Sequence, residues 1–167
     1  MKKTTKEICI LGLVTSLALI LSYVESMLPF NLGVPGAKIG LANMAMMFSL
    51  YVLGTKEAMF IGALRIVLSA LLFGNGAALL YSLAGLLLSF ISMVLLKKTG
   101  LFNEVAVSAV GGVMHNVGQL IMAAFLAGTG VLLELPMLFV LGLICGVVIG
   151  IISGILIKRL EKIVKRI

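Results

Sequence analysis

The chain is poor in charge. Lys, Arg, Asp and Glu make up 11% of its 167 residues, against about 25% in an ordinary soluble domain. Apolar residues make up 62%, and the mean hydropathy is +1.27. A chain of this size buries only about 70% of its surface on folding, so in water much of that apolar surface would stay wet. The composition therefore excludes a soluble globular domain and a disordered chain. Aspartate is absent, and the six acids are glutamates scattered along the chain. That leaves no Asp-rich motif for a magnesium–diphosphate complex and no paired-carboxylate site. The two cysteines, Cys9 and Cys145, form no C-x-x-C pattern, which speaks against a disulfide framework or a thiolate metal site. His115 is the single histidine and has no neighbouring ligand type in sequence. A G-x-x-x-x-G-K-[ST] phosphate loop and a G-x-S-x-G elbow are both missing. The expectation is a chain that is not an enzyme, holds no metal or cofactor, and hydrolyses no ATP of its own.

What is present is a series of long apolar runs. A bilayer core about 30 Å thick needs a helix of about 20 apolar residues. Six spans are expected, at about residues 8–28, 39–53, 58–73, 77–96, 105–127 and 136–157. Gly-, Pro- and charge-bearing stretches separate them: Pro29 to Lys38, Gly54 to Glu57, Gly74 to Gly76, Lys97 to Glu104, and Gly128 to Leu135. The fold class is all-α, a polytopic membrane protein forming one membrane domain over residues 1–167.

The net charge of +7 reads as membrane orientation. With six spans, both termini share one side. That side receives Lys2, Lys3, Lys6, Lys56, Lys97, Lys98, Lys158, Arg159, Lys162, Lys165 and Arg166, and the opposite side receives Lys38 alone. The asymmetry puts both termini in the cytoplasm. No basic patch interleaved with aromatics points to nucleic acid. The basic N-terminus precedes an apolar run without an A-x-A-like cleavage site, so it reads as a span and not a removed signal. Lys158 to Ile167 reads as an amphipathic extension on anionic lipid.

Small residues recur at helical spacing. Gly142, Gly146, Gly150 and Gly154 fall every four residues on the sixth span, and Gly12/Ser16 and Ala18/Ser22 do so on the first. Such stripes let two backbones approach closely. They serve either packing within the chain or docking of a partner subunit. Tyr81, Ser82, Gly85, Ser89 and Ser92 give the fourth span a mildly polar stripe, read as packing.

Polar groups inside apolar spans call for a reason. Arg65 lies halfway along the third span, where an Arg costs about 3 kcal/mol on insertion scales. It either meets a ligand or pairs with a carboxylate, with Glu25 the candidate. His115, Asn116 and Gln119 fall within five residues of the fifth span, as helix–helix glue or as a cavity lining. Pro35-Gly36 suits a tight turn. After it, Lys38 stands at the start of the second span, with Asn43 just over a turn later. A cation, helix N-terminal N–H groups and an amide could receive an anionic or carbonyl-bearing ligand, or Lys38 could simply snorkel. Lys38, Asn43, Arg65, His115, Asn116 and Gln119 are the candidate substrate-binding residues, with Lys38 and Glu25 near the mouth of an outward-opening cavity.

The runs Val34-Pro-Gly-Ala-Lys-Ile-Gly-Leu-Ala-Asn43, Leu64-Arg-Ile-Val67, Tyr81-Ser-Leu-Ala-Gly85 and His115-Asn-Val-Gly-Gln119 resemble the Gx transporter family, also called heptaprenyl diphosphate synthase component I. That family in turn resembles the S components of energy-coupling factor transporters, six-helix proteins of similar length. The resemblance implies a subunit that captures a small organic solute, such as a vitamin or quinone precursor. It would dock on a transmembrane coupling subunit served by cytoplasmic ATPase subunits. The Gly12/Ser16 and Ala18/Ser22 pairs would lie on the docking face. The second name implies instead an accessory subunit of polyprenyl diphosphate synthesis.

Overall fold

The structure, a computed structural model, describes residues 5–27 and 40–166, the last of these, 161–166, by backbone only. Lys38, and the stretch Pro29 to Lys38 around it, lie outside the described residues.

Six α-helices follow one another: α1 Thr5–Met27, α2 Asn43–Val52, α3 Thr55–Phe73, α4 Gly76–Thr99, α5 Glu104–Ala127 and α6 Leu135–Arg166. A 3-10 segment, Thr129–Glu134, leads into α6. The described residues contain no strand. The helix ends follow from local chemistry. Asn75 and Asn103 cap α4 and α5, their side-chain oxygens accepting from the amides of Ala78 at 2.8 Å and Ala106 at 2.9 Å. Gly100 ends α4 in the left-handed region at φ 68°, which a residue with a Cβ adopts only at a cost.

Four segments are long and apolar enough to cross a membrane: α1, α4, α5 and Thr129–Leu160. The chain is thus an all-α membrane protein. α3 has 19 residues, about 28 Å of helix, but carries Lys56, Glu57 and Arg65. The expected second span, about 39–53, departs most from what is seen. Helix α2 begins only at Asn43 and has 10 residues, about 15 Å and half a bilayer core. Gly40, at φ +86°, sits in the turn just before it, and the amide of Asn43 donates to the Gly40 carbonyl at 2.8 Å. The chain therefore enters α2 through non-helical backbone, which at membrane depth survives only where protein covers it.

Antiparallel contacts gather the basic helix ends at one end of the bundle. The Lys97 ammonium donates to the Leu50 carbonyl at the end of α2. Gly154 of α6 lies beside Glu104 at the start of α5. Cys9 and Leu13 of α1 share a crevice with Leu156 and Leu160 of α6. The side chains of Lys6, Lys56, Lys98, Lys158 and Arg159 are exposed or half-buried there. Large apolar side chains such as Leu71, Phe125 and Leu133 are more than three-quarters exposed, a surface suited to lipid and hostile to water.

α5 is the central helix, packed on α4 and α6. A Cβ on Gly112 would stand 2.4 Å from the Gly142 carbonyl oxygen, and one on Gly146 would stand 2.7 Å from the Ala109 Cα. Gly150 meets Val105 in the same way, at 2.8 Å. The α6 glycines are an internal face, joined to α5 by backbone contact. Gly154, at the end of the stripe, has its nearest neighbour at 3.9 Å. On the other side of α5, Gly118 abuts the Ala84 carbonyl, and Gly85 abuts His115.

Candidate functional site

The close α4–α5–α6 packing leaves one polar gap where α1, α2 and α3 lean against it. This cavity has about 40 Å³ of room for water-sized spheres and takes lining residues from all six helices. That holds a few waters. α1 contributes Glu25, α2 Asn43 with Met46 and Met47, and α3 Arg65. α4 contributes Ser82, Ser89 and Met93, α5 His115 and Asn116 with Ser108, and α6 Cys145 between Gly142 and Gly146. Gly40 lines it as well.

Several of the polar members are held in place by neighbouring helices. Arg65 is buried, at 9% exposed, and its Nη1 donates to Ser22 Oγ at 3.1 Å. Glu25, 7% exposed, accepts from the Gly40 amide and acts electrostatically on Arg65. Its carboxylate thus ties the end of α1 to the entry of α2. Asn116 donates through Nδ2 to the Leu138 carbonyl at 2.9 Å, binding α5 to α6. His115 is wedged against Gly85: a Cβ there would fall 2.9 Å from its ring. Ser89 Oγ is fully buried and has no hydrogen-bond partner among the described residues.

Asn43, Arg65, His115 and Asn116 therefore come from four helices to one cavity. Gln119 is buried, at 9% exposed, but is not on the cavity wall. It stands one turn beyond His115, where α4 and α5 close together. Lys38 lies outside the described residues. The stripe on α1 divides. Ala18 and Ser22 are buried, and Ser22 is the Arg65 partner. Gly12 and Ser16 are exposed, and nothing stands within 4 Å of where a Gly12 Cβ would be; they line an open groove between α1 and α3.

Sequence reasoning passed over Ser82, Ser89 and Ser108, Gly40, the lining methionines and Cys145. The 82/85/89 spacing was a usable signal for one polar helix face. Nothing marked Gly40, whose role depends on Glu25 fifteen residues earlier.

A helical membrane protein with a buried, charge-containing polar site shared by six helices is the class that fold and cavity define. The family model for heptaprenyl diphosphate synthase component I matches residues 14–156, and the chain belongs to that family. The matched segment contains every cavity-lining residue. No match was found among curated proteins or among solved structures.

Proposed function

We propose that this chain is a non-catalytic, substrate-binding membrane subunit that captures a small organic solute in the six-helix cavity. The observation that carries the reading is the convergence of Asn43, Arg65, His115 and Asn116 on one cavity. Burying a guanidinium, a carboxylate and an imidazole together is costly, and a purely structural bundle would pack more cheaply with apolar side chains. Lys38, outside the described residues, is a further proposed binding residue, and Gln119 supports the His115 face from behind. The basic end faces the cytoplasm of a bacterial plasma membrane, following the bias of lysine and arginine. The whole chain is one membrane domain crossing six times.

Energy for uptake then comes from partners, as in the S components that the chain resembles: a transmembrane coupling subunit and cytoplasmic ATPase subunits. The exposed Gly12/Ser16 face of α1 is where a partner helix would dock. Uptake into cells or vesicles should require co-expressed partners and ATP. Uptake by this chain alone, unchanged by ATP depletion, would overturn the reading.

A second reading is favoured by the family description: an accessory subunit of polyprenyl diphosphate synthesis. An apolar crevice of about 410 Å³ between α1, α2 and α6 supports it. Deleting the gene should then shorten the quinone side chain, and unchanged quinones count against it.

A further inference from the structure

The first and last helices barely touch. α1 packs on α3 and α2, and α6 packs on α5 and α2. Between α1 and α6 runs the apolar crevice of about 410 Å³, with Ala45 and Phe48 of α2 on its wall. Leu13 and Leu17 line it and are exposed, so it opens sideways to the hydrocarbon around the chain. A volume of this size stands filled in a close-packed medium, because an empty one forfeits the dispersion contacts of its walls. Its lining residues on α1 run from Cys9 to Leu21, about 18 Å of helix. That is a little over half of a bilayer core about 30 Å thick, so the crevice reaches through one leaflet.

The end of the crevice marked by Cys9 and Leu160 is the basic end of the bundle. Lys6 precedes Cys9, Ile10 and Leu13 by three, four and seven residues, which puts it on their face of α1. Lys158 and Arg159 stand next to Leu160 on α6. All three side chains are exposed, at the level where a lipid of that leaflet carries its headgroup. Glu7 lies about 100° around α1 from Lys6 and is not on the crevice wall. The residues of these two chain ends whose side chains are not described bring Lys2, Lys3, Lys162, Lys165 and Arg166 against one acid, Glu161, so they do not reverse the balance. From these placements we infer that the crevice is a binding site for one anionic phospholipid, with an acyl chain between α1 and α6 and the phosphate at Lys6 and Arg159. The apolar wall does not choose between tails, since lipid chains are as apolar as leucine. Selection comes from the headgroup, drawn by the cations at the mouth of the crevice. A lipid held this way differs from one adsorbed on the basic surface, because its tail is the packing between the first and last helices. The inference stands apart from the solute-binding reading of the central cavity.

The test uses the full-length protein, freed of lipid by detergent exchange. It is then offered an equimolar mixture of phosphatidylglycerol and phosphatidylcholine with the same acyl chains, and bound lipid is read by native mass spectrometry. Wild type should retain phosphatidylglycerol at least about tenfold over phosphatidylcholine, a difference of about 1.4 kcal/mol. The paired exchange Lys6→Gln and Arg159→Gln, both at exposed positions, should bring the two lipids close to parity. Leu17→Trp fills the crevice and should cut retention of both lipids severalfold; Leu13→Trp, at another exposed wall position, repeats the filling in case the first variant does not fold. Equal retention of the two lipids by wild type overturns the inference. So does a phosphatidylglycerol preference that both filling variants leave untouched, which marks adsorption on the basic surface only. Farnesyl diphosphate retained more tightly than phosphatidylglycerol assigns the crevice to the polyprenyl reading and overturns the phospholipid. Partner-dependent uptake is scored separately, so failure here leaves the solute-binding reading standing.

Discussion

The glycines of α6 and the small residues of α1 recur at the same four-residue spacing, but they occupy different surroundings. Gly142, Gly146 and Gly150 press against the backbone of α5. Gly12 and Ser16 face outward over an open groove, while Ala18 and Ser22 turn inward from the same helix. A small-residue stripe says that close approach is allowed. It does not say what approaches. In α6 the partner is the preceding helix in sequence, antiparallel and joined by a short connection. In α1 the inner residues give room to Arg65, and the outer ones are left for lipid or another subunit.

The comparison can be broken by filling each stripe in turn. The largest effect is expected for Gly146→Leu. Its added Cβ meets the Ala109 Cα and the Ser108 carbonyl oxygen, both at 2.7 Å, and backbone cannot swing aside. Thermal unfolding in detergent should show a loss of about 3 kcal/mol or more, and a variant as stable as wild type would refute the close α5–α6 packing. Ser22→Ala comes next. It strips a buried guanidinium of a hydrogen-bond acceptor, at about 1.5–3 kcal/mol, read by the same thermal unfolding. Asn116→Ala removes one bond between α5 and α6. Interhelical bonds in membranes contribute about 0.6 kcal/mol on average, so the loss should be near that value, with the apparent melting temperature only slightly lowered. The smallest effect on the isolated chain belongs to Gly12→Leu, expected within about 0.5 kcal/mol of wild type. That variant sharpens the contrast: it should abolish co-purification of a coupling subunit while leaving solute retention intact. Loss of retention together with docking would place Gly12 in the interior after all.

The lateral crevice and the central cavity differ in the same instructive way. The crevice is larger but walled almost wholly by apolar groups, which hydrocarbon fills without selectivity. The cavity is narrow, but its wall carries a carboxylate, a guanidinium, an imidazole, an amide and hydroxyls. Under the proposed solute-binding reading, discrimination between guests falls to the second, because a polar wall rejects a guest that cannot match its hydrogen bonds at a higher cost than apolar contacts do.

Much of the site was legible because the membrane penalises polarity. Arg65 and the His115–Asn116 pair declared themselves as costly groups in apolar runs, and both lie on the cavity wall. Gln119 carried the same signal but ended one turn beyond, because Gly118 draws α5 onto the Ala84 carbonyl and closes that level. Ser22 and Ser89 stood out only as members of small-residue stripes, read as packing or docking faces. A serine is cheap in a transmembrane helix, so its presence says little until its neighbour is known. The shortness of α2 was likewise hidden, since Gly40 to Ala42 is apolar and fits a helix as readily as a turn.

Local chemistry along the chain settles the helical class, the apolar runs, the charge bias between their ends and the few groups that need an explanation. Each follows from what a residue costs in hydrocarbon, a property it carries wherever it goes. Which stripe packs inward, which carboxylate acts on Arg65, and that six helices share a polar cavity depend on the rotation and depth of each helix. Those are set by contacts between residues tens of positions apart, and the hydropathy of a single run carries no record of them.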